Sequence, residues 1–163
     1  MAAKAILICG KICSGKSTYA EKLKKQNNAV LLSVDEITLS VFDGDLGEKH
    51  DEITGRIQKY LFEKSVQIIE SGTSVILDWG FWRKSDRKLA RDFYESRSIP
   101  CELHYIDISE DTHRLNIAQR NRAVSEGRIS AYFVDEGLYR KFCEIFECPQ
   151  ENEIDVRYGY ERW

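Results

Sequence analysis

The residues with the greatest chemical consequence stand near the amino terminus. Gly10, Lys11, Ile12, Cys13, Ser14, Gly15, Lys16 and Ser17 match the spacing GxxxxGK[ST], the Walker A phosphate loop. Gly10 and Gly15 permit backbone conformations that a Cβ would hinder. Successive N–H groups can then curl round a phosphate, with the positive end of the following helix beneath it. Lys16 is expected to reach the β and γ oxygens, the Ser17 hydroxyl to ligate Mg²⁺, and Thr18 to contact the α-phosphate. The spacing predicts a site for ATP or GTP with Mg²⁺ over residues 10–18, of which ATP is the expected cofactor.

Two carboxylates are placed to serve that loop. Asp35 follows the apolar run Val30–Val34, and ligands of an open parallel sheet sit beyond the carboxyl ends of its strands. There Asp35 would act as general base, taking the proton of a hydroxyl that attacks the γ-phosphate. Asp is also a favoured N-cap, so the position equally suits the start of a helix. Asp78 closes the run Val75–Leu77 and would hold Mg²⁺ or orient the acceptor on the same edge. Trp79, Phe81 and Trp82 surround Gly80, either as a wall for an organic acceptor, with Trp82 on it, or as packing against the long helix. Arg87 is assigned to an anionic acceptor, whereas Arg83 reads as surface. Arg114, Arg120, Arg122 and Arg128 outnumber their acidic neighbours and read as a mobile lid over about residues 114–130. Arg120 and Arg122 would lie on the transferring phosphoryl group.

The elements that must position these groups alternate. Strand-length apolar runs occur at Ala5–Cys9, Val30–Val34, Val75–Leu77 and Leu103–Ile108, with a short fifth at Ile154–Tyr158. The first three are nearly continuous, which suggests strands buried on both faces. Helical periodicity fills Ser17–Gln26, Glu48–Glu70, Ser85–Arg97, Glu110–Val124 and Ala131–Phe146. Strand alternating with helix predicts an α/β fold of three layers, a parallel sheet of about five strands covered on both sides.

Composition narrows the function. The chain has 163 residues and a net charge of −3, with 42% hydrophobic and 31% charged residues, which predicts one globular domain over residues 1–163. A net acidic chain argues against wholesale nucleic-acid or membrane binding. The longest apolar run, Ala5–Cys9, is far short of the ~20 residues of a membrane span, and no signal peptide is expected. Five cysteines without a CxxC pair point to a reduced, cytoplasmic setting. His50, His104 and His113 lack ligand spacing, and Cys13 reads as space-filling. The acidic stretch 144–155 reads as a solvated loop. No Asp is followed by Gly three residues on and no Asn-Lys pair occurs, so a switch GTPase is not expected. The run at 30–36 imitates Walker B but begins too soon after Lys16 for a motor ATPase.

The segments LICGKICSGKST at 7–18, LLSVDEITLSVFDG at 31–44, VILDWGFWRKSDR at 75–87 and RLNIAQRNR at 114–122 resemble the small P-loop kinases of the AAA_33 or zeta-toxin-like group. That group is similar to shikimate and gluconate kinases and to the kinase domain of polynucleotide kinases. The resemblance implies a sheet of order 2-3-1-4-5, Asp35 as the acceptor's general base, and Arg120 or Arg122 as the lid arginine. It implies a phosphotransferase whose partners are a nucleotide and a hydroxyl-bearing small molecule. The alternatives are a regulatory ATPase without such an acceptor and a polynucleotide 5′-hydroxyl kinase, the latter drawn from six basic against three acidic residues at 83–97.

Overall fold

The computed structural model describes residues 2–42 and 46–161. Five parallel strands, β1 (Ala5–Cys9), β2 (Val30–Ser33), β3 (Val75–Gly80), β4 (Cys101–Ile106) and β5 (Val156–Tyr158), form one sheet in the order β2-β3-β1-β4-β5. Between them run α1 (Lys16–Asn27), α2 (Val34–Phe42), α3 (His50–Glu70), α4 (Lys84–Glu95), α5 (Glu110–Ser125) and α6 (Glu136–Ile145). All five residues of β1 are buried. Their alternation sends Ala5, Leu7 and Cys9 to one face, with Phe62 and Ile69 of α3 and Ala90 and Tyr94 of α4. Ile6 and Ile8 turn to the other, with Tyr19, Ala20 and Leu23 of α1. The apolar run of β1 therefore reads as continuous because both faces are covered.

β2 departs from that expectation. It is an edge strand and Val30 is 37% exposed. It also ends at Ser33, and residues 34–42 form a helix that the run of apolar residues had concealed. The Ser33 hydroxyl accepts from Glu36 N at 3.3 Å, while Val34 and Thr38 supply a buried stripe at helical spacing. β4 starts two residues earlier than predicted, because Cys101 pairs with Ala5 at the start of the β1 ladder. The predicted helix at 131–146 begins only at Glu136, capped by Asp135, whose carboxylate accepts from Leu138 N. Ahead of it Asn121 holds both the N–H and the C=O of Val134, at 2.8 and 2.7 Å, and keeps that segment extended.

One irregularity lies beside the functional edge. Leu7 pairs with Leu77, but Cys9 pairs with Gly80, so β3 carries one extra residue across this step. The bulge contains Asp78 and Trp79. Bulges bend a strand and re-aim its side chains, and here the re-aimed side chain is a carboxylate. Asp78 accordingly lies within β3 and not at its end.

Candidate active site

The phosphate loop is shaped from outside. Five consecutive carbonyls each accept a hydrogen bond from a side chain. Trp82 Nε1 donates to Gly10 O at 3.0 Å, Lys16 Nζ to Lys11 O at 2.7 Å, and His113 Nε2 to Ile12 O at 2.6 Å. Asn116 Nδ2 donates to Cys13 O at 2.9 Å and the Tyr160 hydroxyl to Ser14 O at 3.0 Å. Held carbonyls fix the peptide planes of the loop and so the directions of the N–H groups that a phosphate would meet. Gly15, at φ 91°, caps α1 in the left-handed region, and a Cβ there would fall 2.5 Å from the Tyr160 hydroxyl. A Cβ on Gly10 would fall 2.6 Å from Ser14 Oγ. Gly15 is thus demanded by conformation as well as by contact, and Gly10 by contact alone.

His113, Asn116 and Tyr160 were not among the expected site residues. A signal for the first two existed: His113, Asn116 and Arg120 recur at three- and four-residue steps and so share one face of α5. That face lies against residues 12 and 13. Arg120 follows the same rule, with Nη1 3.6 Å from Cys13 Sγ and Nε donating to Tyr132 O at 3.1 Å. Cys13, at φ 57°, is therefore covered by a guanidinium, and burial raises its thiol pKa while Arg120 opposes the rise.

In front of the loop stand Lys16, Ser17, Asp78 and Asp35. Burial lowers the Lys16 pKa, with the Asp78 charge working against the fall. The Ser17 hydroxyl donates to Asp78 Oδ2 at 2.9 Å. This oxygen pair suits Mg²⁺, which takes a Walker hydroxyl and a carboxylate together with phosphate oxygens. Asp78 is 7% exposed and its burial raises its pKa; a cation there would relieve the penalty. Asp35 lies in the first turn of α2 and not on a strand end, and its charge acts on both Lys16 and Asp78. Unlike Asp78 it is exposed, open to an incoming hydroxyl. Thr18 is exposed in the first turn of α1.

Two assigned residues are corrected. Arg87 is 1% exposed. Its Nη1 donates to the carbonyls of Phe81, Trp82 and Glu147, its Nε to Glu153 Oε1 at 2.9 Å and its Nη2 to Glu153 Oε2 at 3.3 Å. Committed to five acceptor atoms, it holds the turn after β3 and cannot meet a substrate, whereas Arg83 is the exposed arginine of this segment. Arg122 lies 200° round α5 from Arg120 at ~100° per residue. It faces outward to Glu126 at 2.9 Å, away from the loop. Trp79 and Phe81 pack against each other, and Trp79 meets Phe62 of α3 edge-on. Of the three aromatics only Trp82 reaches the loop.

The acidic stretch is likewise structural. Glu153 pairs with Arg87, Asp155 with Arg91, and the Glu147 carboxylate accepts from Lys84 N. The two ion pairs offset part of the basic character that residues 83–97 show in isolation.

A family model described as an AAA domain, AAA_33, matches residues 6–133. No curated protein sequence matches the chain. Among solved structures, the APS kinase of Mycobacterium tuberculosis in complex with AMPPNP and APS aligns with a TM-score of 0.69 at 18% identity, over 99% of this chain and 91% of that one. A gluconokinase from Sinorhizobium meliloti aligns at 0.64 with 14% identity, over 97% and 83%. Chaetomium thermophilum Kti12 in complex with ADP-AlF3 aligns at 0.67 with 16% identity, over 96% and 88%. These likenesses establish a shared P-loop kinase fold.

Proposed function

The chain is a member of the AAA_33 family, and on that premise we propose that it is an ATP-dependent phosphotransferase acting on the hydroxyl of a small molecule. The observation that carries this reading is the convergence of Lys16, the Ser17–Asp78 pair and an exposed Asp35 in front of a preshaped phosphate loop. Mg²⁺, held by Ser17 and Asp78, would neutralise charge on the bound phosphates. Lys16 would release Lys11 O and turn its ammonium to the β and γ oxygens. Asp35 would take the proton as the acceptor O–H bond breaks. The acceptor oxygen forms its bond to γ-phosphorus while the β,γ-bridging P–O bond breaks, leaving ADP. Arg120, at Cys13, would serve as the lid arginine that stabilises the transferring group. Trp82 stands at the edge of the same loop, where an acceptor would pass. APS kinase and gluconokinase, whose fold the chain shares, are both named for phosphorylating a small molecule. The pairing of 83–97 with the acidic stretch weakens the polynucleotide alternative, which needs a free basic track.

The test is incubation with γ-labelled ATP, Mg²⁺ and a library of hydroxyl metabolites. Asp35→Asn is expected to cut label transfer by roughly 10²- to 10⁴-fold while ATP binding, followed by calorimetry, is retained. Steady release of free phosphate, indifferent to every hydroxyl compound, would instead identify a regulatory ATPase.

A further inference from the structure

The family match ends at residue 133, yet the donor to Ser14 O is Tyr160, in the segment that follows β5. That segment is fixed on both sides of the tyrosine. Before it, Asp107 N donates to Tyr158 O at 2.8 Å, and the Tyr158 ring lies on Tyr19 of α1 with centroids 4.4 Å apart. At Gly159 a Cβ would fall 2.9 Å from Asp107 O, so a residue without one lets the chain pass this close. After it, Glu161 Oε2 accepts from Thr112 Oγ1 at 2.9 Å in the first turn of α5, where the positive end of a helix favours a carboxylate.

The Tyr160 hydroxyl stands in the middle of a hydrogen-bond chain that runs one way. Asn116 Nδ2 donates to its oxygen at 2.8 Å, and its single proton goes on to Ser14 O at 3.0 Å. The other amide hydrogen of Asn116 goes to Cys13 O at 2.9 Å. One side chain of α5 thus governs two successive carbonyls of the loop, the first directly and the second through Tyr160. The reverse amide orientation would set Oδ1 against Cys13 O, acceptor to acceptor, so the network fixes the assignment. Asn116 Oδ1 is then buried with no hydrogen-bond partner among the described residues. An apolar side chain of similar size would avoid that cost, so stability alone does not account for an asparagine here.

We propose that Tyr160 is a positioning residue of the nucleotide site. Together with Asn116 it fixes the peptide between Ser14 and Gly15, and so aims the Gly15 N–H, one of the loop donors offered to phosphate. The proposal rests on the nucleotide-binding part of the reading above. Tyr160 acts through the loop, so its effect falls on the phosphates of the ligand and not on the base.

The probes are AMPPNP and inorganic tripolyphosphate, which has the phosphates without a base, each titrated with Mg²⁺ in a calorimeter. Tyr160→Phe keeps the ring and removes only the hydroxyl. It is expected to weaken both ligands by the same factor, roughly tenfold. Asn116→Leu takes a donor from each of the two acceptors, Cys13 O and the Tyr160 oxygen, and should weaken both ligands by a larger factor. Unchanged affinities in Tyr160→Phe overturn the proposal. A loss confined to AMPPNP also overturns it, since that result would place Tyr160 on the base. A lower Tm with unaltered affinities would show a merely structural role and counts against it equally. If the unaltered protein binds neither ligand, the phosphotransferase reading falls and takes this proposal with it. If it binds both and Tyr160→Phe binds them as well, this proposal alone falls.

Discussion

Asp78 is a carboxylate folded into a place where charge is costly. Burial raises its pKa, Lys16 and the Ser17 hydroxyl pull it partway back, and Asp35 adds to the rise. A carboxyl whose folded pKa is raised favours folding in its protonated form. That contribution is present below the unfolded pKa and is lost as pH rises through the folded one. Asp78→Asn is neutral at every pH, so it is expected to raise the Tm of the ligand-free protein near neutral pH. The gain should shrink towards about pH 4. The same substitution should weaken Mg²⁺-dependent ATP binding. Thermal melts across this range check the first effect, and a Tm difference independent of pH would contradict it. On the proposed reading the tension has a functional sense: a cation held by Asp78 would relieve the cost of its buried charge.

At the scale of elements, the turn after β3 depends on a buried guanidinium. Gly80 at φ 91° and Phe81 at φ 45° both lie in the left-handed region, which a non-glycine residue enters only when its surroundings hold it there. Arg87 on α4 supplies the hold, binding both carbonyls that follow, and through Trp82 the turn reaches Gly10. Arg87→Met would take the cation from Glu153 and one donor from each of three carbonyls, of which Trp82 O keeps Glu147 N and Phe81 O keeps Cys9 Sγ. A loss of ~3–5 kcal/mol is expected in urea denaturation, together with weaker nucleotide binding. Adding Glu153→Leu should recover part of the stability but not the binding. A loss below about 1 kcal/mol, the range of a surface pair, would show that Arg87 is not the clamp. α5 makes a similar point from the other side of the loop. His113, Asn116 and Arg120 reach it because helical spacing aligns them, while Arg122, equally basic, is carried to solvent.

For the whole molecule, the phosphate site is assembled from β1, α1, the turn after β3, α5 and the segment after β5. Most of the lid expected over 114–130 belongs to α5, and the stretch between α5 and α6, into which its end runs, is different. Residues 126–135 form no helix or strand, and Ile129 and Phe133 are 46% and 50% exposed. Such a stretch is a favoured site of proteolytic nicking. Limited trypsin digestion of the ligand-free protein is expected to cleave early after Arg128. AMPPNP with Mg²⁺ should slow that cut by bringing the lid onto the nucleotide. A rate unchanged by nucleotide, at concentrations where binding is saturated, would mean that this stretch does not close.

The alternation of strand and helix and the residues of the phosphate loop were legible in the chain, because each rests on local spacing or on a short apolar run. The start of α2 was not. Val30 to Val34 is equally apolar whether it ends a strand or begins a helix, and an edge strand leaves too little burial contrast to mark the boundary. Charge misled too, since Arg87 reads as a contact to an anionic acceptor and the acids at 144–155 as a solvated loop until the fold brings Arg87 and Glu153 together. The sequence alone determined that there is a phosphate loop and which residues compose it. Only the tertiary structure decided what shapes that loop, because the donors to its carbonyls come from segments up to 146 residues away, and no local pattern records a contact at that distance.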